Sequence, residues 1–194
     1  MSALNLDSEA LVTQDEVELY CALEAGYDDQ RVKILVNGVS AAIQNYTERK
    51  FTPEVACIDN YLHFDVAESS YNVIDQLLTE WTPVTTLTSL TIDGEAYTVG
   101  DVVIDAYGGL LFLPTPVSTL KKYVKVVVNY KAGYAVTPSD IKQVVYDTVS
   151  FYYKRDFLQY TTEVSAAMQG GRPDEVFFPE SCRKVIRDYT RDML

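Results

Sequence analysis

The sequence has little of what catalysis usually requires. It contains a single histidine, His63, in an alternating apolar segment where a strand side chain is expected rather than a catalytic base. The glycine pairs Gly108-Gly109 and Gly170-Gly171 lack the spacing and the following Lys-Ser/Thr of a phosphate-binding loop. Adjacent carboxylates such as Asp28-Asp29 and Asp174-Glu175 predict solvated charge rather than an acid–base pair. We therefore expect no catalytic residues and no enzyme activity.

Cysteine is scarce, and long apolar runs are missing. Cys21, Cys57 and Cys182 are odd in number and far apart, which predicts buried free thiols and no metal site or other cofactor. No apolar run approaches the roughly 20 residues that a membrane span needs, and the first residues lack the basic and apolar parts of a signal peptide. We expect a protein made in the cytoplasm, with no membrane partner.

Basic residues are absent from two long acidic blocks. Residues 1–29 contain eight acids and residues 51–120 contain ten, and neither block has a Lys or Arg, within a formal net charge of −12. From Lys154 onward, seven acids and seven bases cancel. Because affinity for nucleic acid depends on Lys and Arg neutralising phosphates, we predict that the protein does not bind DNA tightly.

The clearest local pattern runs from Tyr123 to Asp156. Its first part is β-branched and aromatic, as a strand requires, and it ends at Gly133. Thr137 is then placed to cap a helix whose first position is Pro138. The apolar residues of this helix recur at three- and four-residue spacing. They predict one buried face made of Ile141, Val144, Val145, Thr148, Phe151 and Tyr152.

Two helices are predicted before the strands, after an irregular arm at residues 1–12. Thr13-Gln14-Asp15-Glu16 has capping-box spacing and predicts a short helix that ends near Gly26. Asp28 is placed to cap a longer helix. The apolar stripe of this second helix predicts core packing by Val32, Leu35, Val36, Val39, Ala42, Ile43 and Tyr46.

After Pro53 the apolar period changes from helical to alternating. We predict strands at Val55–Phe64, at Thr86–Ile92 joined to Ala96–Val99 through Asp93-Gly94, and at Val102–Ile104 paired with Leu110–Leu113. Pro83, Pro114 and Pro116 are expected to confine strand ends. Residues 69–82 are compatible with a loop or a helical turn.

The C-terminal part contains a long stretch without a period and then a short helix. Residues 157–177, with Gly170-Gly171 in their second half, are predicted to form a flexible loop that orders against a partner. From Pro179 to Leu194, Val185, Ile186, Tyr189 and Met193 predict the buried face of a last helix. Arg183, Arg187 and Arg191 stand four residues apart on another face.

The chain contains, in order, a strand, Tyr130-Lys131-Ala132-Gly133-Tyr134, Thr137-Pro138-Ser139-Asp140-Ile141-Lys142-Gln143 and an amphipathic helix. This order resembles the head-tail connector (adaptor) proteins of tailed bacteriophages. The segment Tyr46–Phe51 resembles the first half of that family, and Phe178-Pro179 with the helix behind it resembles the C-terminal end. The resemblance implies a structural virion protein at the head-tail junction, assembled in the host cytoplasm. Such proteins form a twelvefold homo-oligomeric ring under the portal protein, extend the DNA channel and receive a stopper or tail-completion protein.

Together these patterns predict an α+β fold, a small helical bundle with a β-rich insertion between the second and third main helices. We expect one connector domain over residues 1–194, with the insertion at 52–130 and the flexible loop at 157–177. The acidic insertion at 51–120 departs from shorter members of the resembled family, which leaves open which surface meets which partner.

The candidate assembly interface combines an arginine stripe with aromatic residues. Its members are Arg183, Arg187, Arg191, Tyr160, Phe177 and Phe178. The arginines fit either a solvated helix face or contact with an acidic block of an identical neighbour. The fifteen tyrosines and seven phenylalanines fit either core filling or partner binding. A second hypothesis for the whole chain is a cytoplasmic protein-binding adaptor that forms no ring, and an enzyme acting on a cationic small molecule is a third.

Overall fold

The chain consists of a helical part and a strand part. The computed structural model describes residues 5–23, 28–63, 72–119, 121, 123–157 and 177–190. Met1–Thr47 and Val136–Leu194 form one compact unit, the helical unit, and Glu48–Ala135 form a second, the β unit. Because the strands lie between the second and third of the helices, the predicted α+β fold class with a β insertion is confirmed.

The helical unit contains α1 at Gln14–Cys21, α2 at Asp29–Thr47, α3 at Ser139–Phe157 and α4 at Glu180–Tyr189. The predicted capping box of α1 is present, with the Thr13 side chain and the Glu16 side chain each accepting from the other's backbone N–H. This helix ends earlier than predicted, because Ala22 adopts a left-handed conformation with φ of 54°. The Pro138 carbonyl accepts from the Lys142 N–H at 3.0 Å, so α3 begins within one residue of the predicted position.

The core of the helical unit includes residues from the predicted apolar face of each helix. It is formed by Val17, Val32, Val36, Val39, Ile43, Ile141, Val144, Val145, Val149 and Ile186. The prediction that Phe151 belongs to the buried face of α3 is wrong, because its side chain is 48% exposed. At 3.6 residues per turn, the stripe that starts at Ile141 continues to Val149, and Phe151 lies beside it.

The arm that precedes α1 is irregular in its described part, residues 5–12, as predicted. Side chains of α2 hold this arm. The Asn37 amide donates to the Asn5 carbonyl and accepts from the Asp7 N–H, and the Ser40 hydroxyl accepts from the Leu11 N–H at 3.1 Å. The Gln44 amide donates to the Glu9 carbonyl at 3.2 Å. Because these three side chains are three and four residues apart, the arm follows one face of the helix.

The described residues of the β unit form seven strands in two antiparallel sheets. The strands are β1 Val55–His63, β2 Asn72–Leu78, β3 Val84–Ile92, β4 Glu95–Tyr97, β5 Val103–Asp105, β6 Leu110–Thr119 and β7 Val124–Ala132. The four-stranded sheet has the order β1-β7-β3-β4, and the three-stranded sheet has the order β2-β6-β5. Residues from both sheets form one buried cluster, so the sheets enclose a shared core.

Two of the predicted turns follow from glycine. Asp93 and Gly94 have φ of 54° and 89°, and they join β3 to β4 as the Asp-Gly pair predicts. Gly133 ends β7 with φ of 136°. A Cβ at Gly133 would come within 1.9 Å of the Thr52 carbonyl oxygen, so only glycine fits this close approach.

Two expectations about the β unit are wrong. Residues 72–78 form strand β2 rather than a loop or helical turn. The register of β2 against β6 shifts between Ile74 and Gln76, so its buried residues, Ile74 and Leu77, are three apart instead of two. Pro114 and Pro116 lie inside β6, where pairing with β5 has ended and the pairing with β2 is irregular, so neither breaks a regular ladder.

Some predictions fall on residues that the structure does not describe. The predicted flexible loop at 157–177 lies outside the described residues except for its two ends, and so do Tyr160, Arg191 and Met193. Its flexibility and the description of residues 1–194 as one domain stay predictions. Within the described ranges, no helix combines the length and the apolar character needed to cross a membrane.

Candidate assembly surfaces

Two side chains hold the segment that leads into α4. The Tyr152 hydroxyl donates to the Phe177 carbonyl at 2.7 Å, and the Arg183 Nε donates to the next carbonyl, that of Phe178, at 3.2 Å. At the other end of α4, the Tyr189 hydroxyl lies 3.1 Å from both carboxylate oxygens of Asp140 at the start of α3. These contacts place α4 antiparallel to α3.

Aromatic rings pack around the same segment. The Phe177 ring lies 5.4 Å from the Tyr152 ring and 5.0 Å from the Phe178 ring, and Phe178 makes an edge contact with Tyr46 at 6.2 Å. Phe178 is 3% exposed, whereas Phe177 is half-buried at the border of the cluster. Packing within the helical unit therefore accounts for Phe178, and Phe177 is the candidate that retains exposed surface.

The structure divides the predicted arginine stripe. Arg183 is half-buried and bonded to the Phe178 carbonyl, so it supports the fold around α4. Arg187 is exposed in the last turn of α4, where a cation also suits the helix dipole. Arg191 and Tyr160 lie outside the described residues, so the structure brings together four of the six predicted interface residues.

The four-stranded sheet has an outward face that sequence reasoning did not single out. We call it the basic face. It carries the exposed Ile58 and Leu62 of β1, which are 70% and 61% exposed. Their cross-strand partners on β7 are Asn129 and Lys125, and the half-buried Val127 lies between these two. Lys131 lies further along β7, paired with Glu54 at 2.6 Å, and among the described strand residues of this face there is no carboxylate.

The three-stranded sheet has an outward face of the opposite character. We call it the acidic face. Val103 pairs with Phe112, and their side chains are 59% and 40% exposed. In the next row, Asp105 pairs with Leu110. Leu110 also pairs with Leu78 on β2, and the Leu78 side chain is 51% exposed. The sequence contains no Lys or Arg from residue 51 to residue 120, so every charge on these strands is negative.

The alternation of buried and exposed residues along the strands indicates both outward faces. In β7 the burial alternates from Val124 to Ala132, and the residues that turn outward include Lys125, Val127 and Lys131. The sequence contains the same alternation, but it does not say which strands are neighbours. Without the strand order, Ile58 and Lys125 are not recognisable as parts of one surface.

The titratable groups fit a structural role. Cys57 and Cys182 are buried free thiols, as predicted, and Cys21 is a half-buried one. Burial raises the pKa values of the Cys21 and Cys182 thiols, which makes both less reactive. His63 is the last residue of β1, in agreement with its prediction as a strand residue. Within the described part of the chain, no cluster of His, Cys, Asp or Glu is arranged to hold a metal ion.

Comparison with known proteins identifies the family. The model of the head completion protein family (HCP) matches residues 10–191, which include the four described helices and the described strands of both sheets. A search of curated proteins finds no match for this chain. The resemblance to phage head-tail connectors is confirmed by the family match. Because the match covers most of the chain, the protein belongs to the head completion protein family and is a structural component of the phage virion head.

Proposed function

We propose that this head completion protein is a connector that forms a closed homo-oligomeric ring under the portal. The ring extends the channel through which DNA passes and presents the surface on which a stopper or tail-completion protein assembles. The family match over residues 10–191 is the observation that carries the proposal, because the family places the protein at the head and implies partners in the capsid and portal region.

The charge distribution supports a channel through which DNA passes without being held. Eighteen acids lie in the two blocks 1–29 and 51–120, which contain no Lys or Arg. A negatively charged surface repels the phosphates of DNA. It also displaces no counterions from them, so DNA would not be retained. A protein that seals or extends a channel after packaging benefits from this property, whereas a protein that anchors DNA does not.

We assign Arg187, and with it Arg191 and Tyr160, to the contacts that the ring makes during assembly. Exposed cations gain little from isolated surface ion pairs, but they gain more where an acidic partner surface excludes water. Arg187→Gln should leave the thermal transition nearly unchanged and weaken docking to the portal. Arg183→Gln serves as the contrasting variant, since it removes the hydrogen bond to the Phe178 carbonyl and should lower the transition temperature.

A complementation experiment tests the proposed function. DNA-filled heads that contain the portal but lack this protein are incubated with the purified chain, and DNA retention and tail joining are measured. We expect both to be restored. Heads that retain their DNA and join tails equally well without the protein would contradict the proposal, and they would favour an adaptor with a role outside the particle.

A further inference from the structure

The basic face and the acidic face lie on opposite sides of the β unit. Each sheet turns its other side to the shared core, where Val126 and Val128 of β7 and Leu111 and Leu113 of β6 are buried. The alternation of a strand then requires the remaining residues to point away from the core, in opposite directions for the two sheets. One copy of the chain therefore presents the two faces back to back.

The two faces are complementary in charge and similar in apolar content. The basic face carries Lys125, together with Lys131 in its ion pair with Glu54, around Ile58, Leu62 and Val127. The acidic face carries the exposed Asp75 and Asp105 of β2 and β5, with Leu78, Val103 and Phe112 between them. Exposed apolar side chains grouped with charge of one sign are typical of surfaces that meet a protein partner.

We propose that the basic face of one copy binds the acidic face of the next copy, and that this contact joins neighbouring subunits. The inference rests on the proposed ring function and names the surface that builds the ring. A second copy is the occupant that the observations favour, because the chain itself provides both complementary surfaces. A contact between two different faces of identical chains is heterologous, and such contacts generate rings when the rotation closes.

Two variants with one blocked face each provide the test. Ile58→Asp places an acid at the basic face, so it should repel the acidic face of a neighbour. Phe112→Lys places a base at the acidic face, so it should repel the basic face of a neighbour. Leu19→Asp is the matched control, since Leu19 is 83% exposed on α1 of the helical unit and belongs to neither sheet. The thermal transition of each variant confirms that it folds, and native mass spectrometry measures the assembly state.

The heterologous contact predicts an unusual result on mixing. Each blocked variant alone should associate at least about thirtyfold more weakly than the wild type, since a charge is placed at the centre of an apolar interface. An equimolar mixture of the two variants retains one intact pair of faces, the acidic face of the Ile58→Asp variant and the basic face of the Phe112→Lys variant, and we expect it to form dimers that neither variant forms alone. The control variant should assemble like the wild type.

The outcomes separate this inference from the proposed function. If the wild type assembles, alone or on portal particles, and both blocked variants assemble equally well, other surfaces build the ring and the inference is wrong while the proposed function stands. If the mixed variants give no dimer, the contact is not between these two faces. If the wild type remains monomeric even with the portal, the ring itself is contradicted.

Discussion

Asp59 is a buried carboxylate at the centre of the β unit, with 5% of its surface exposed. Its Oδ2 accepts from the Glu80 N–H at 2.7 Å, and its Oδ1 accepts from the Tyr130 hydroxyl at 3.0 Å. The Tyr130 oxygen in turn accepts from the Trp81 N–H at 2.9 Å. Burial raises the pKa of Tyr130 far above its ordinary value, so the hydroxyl remains a donor. This network fixes the segment between β2 and β3.

We expect Tyr130→Phe to destabilise the protein by about 1–3 kcal/mol, because it leaves the buried Asp59 Oδ1 and the half-buried Trp81 N–H without this partner. Urea unfolding measures the change. Tyr97→Phe is the control, since the Tyr97 hydroxyl also contacts two backbone groups, those of Thr115, but at an exposed position. Equal effects of the two substitutions would show that burial of the network adds nothing.

Two glycines should respond in opposite ways to the same substitution. Gly133→Ala brings a Cβ against the Thr52 carbonyl at a positive φ, so we expect a loss of several kcal/mol or failure to fold. Gly38→Ala lies within α2 in open space, and it should stabilise the protein by about 0.5–1 kcal/mol. Thermal unfolding of both variants measures this contrast, and a tolerated Gly133→Ala would refute the close approach.

At the scale of elements, α1 depends on contacts near its start. The Thr13 and Glu16 side chains form the capping box, and Glu16 Oε1 also accepts from the Lys142 Nζ of α3 at 2.9 Å. Partial burial raises the pKa of Glu16, but the hydrogen bonds from Thr13 and Lys142 outweigh burial, and the pKa is lowered overall. Its hydrogen bond to Glu16 raises the pKa of Lys142. One carboxylate thus caps α1 and joins it to α3.

A depressed folded-state pKa means that Glu16 stabilises the fold above its unfolded pKa and loses this effect as the pH falls through the folded pKa. We expect Glu16→Gln to cost less than about 1 kcal/mol at neutral pH, because the pair is partly exposed, and nothing in acid. Unfolding at several pH values measures this difference. Thr13→Ala should cost about 1 kcal/mol at neutral pH, since it removes the hydroxyl that caps α1. A pH-independent effect of Glu16→Gln would contradict the ion pair.

Helices and hairpins followed from the sequence because their signals are local. The capping box of α1, the stripe of α2 and the Asp93-Gly94 turn each specify a structure within a few residues. Strand β2 did not follow, because a bulge changes the spacing of Ile74 and Leu77 to a helical value. The two outward faces of the sheets did not follow either, because they combine strands that are distant in sequence, such as β1 and β7.

At the scale of the whole molecule, negative charge is concentrated in residues 1–120, which contain nineteen acids. We predict that duplex DNA forms no complex tighter than about 10⁻⁶ M at physiological salt, since repulsion of phosphates outweighs the few exposed cations. Filter binding at several salt concentrations measures this affinity. A sub-micromolar complex that weakens steeply with salt would show a basic patch strong enough to hold DNA.

The predicted flexible loop at 157–177 belongs to the same scale, because its predicted ordering depends on other subunits. Residues 160–175 combine glycines with apolar side chains such as Val164 and Met168. We predict little protection of their amides in the isolated chain and strong slowing of exchange in the assembled particle. Hydrogen exchange by mass spectrometry measures both states, and strong protection in the isolated chain would place the segment in the subunit fold.

The central claim is that copies of this chain form a closed ring at the portal. Cryo-electron microscopy of the head-tail junction in completed particles measures this most directly, because it shows the position and the number of copies together. We predict a closed ring on the portal, around the DNA channel, in which each copy contacts the next through its β unit. Isolated copies on the portal, or particles whose portal carries no copy of this protein, would contradict the account.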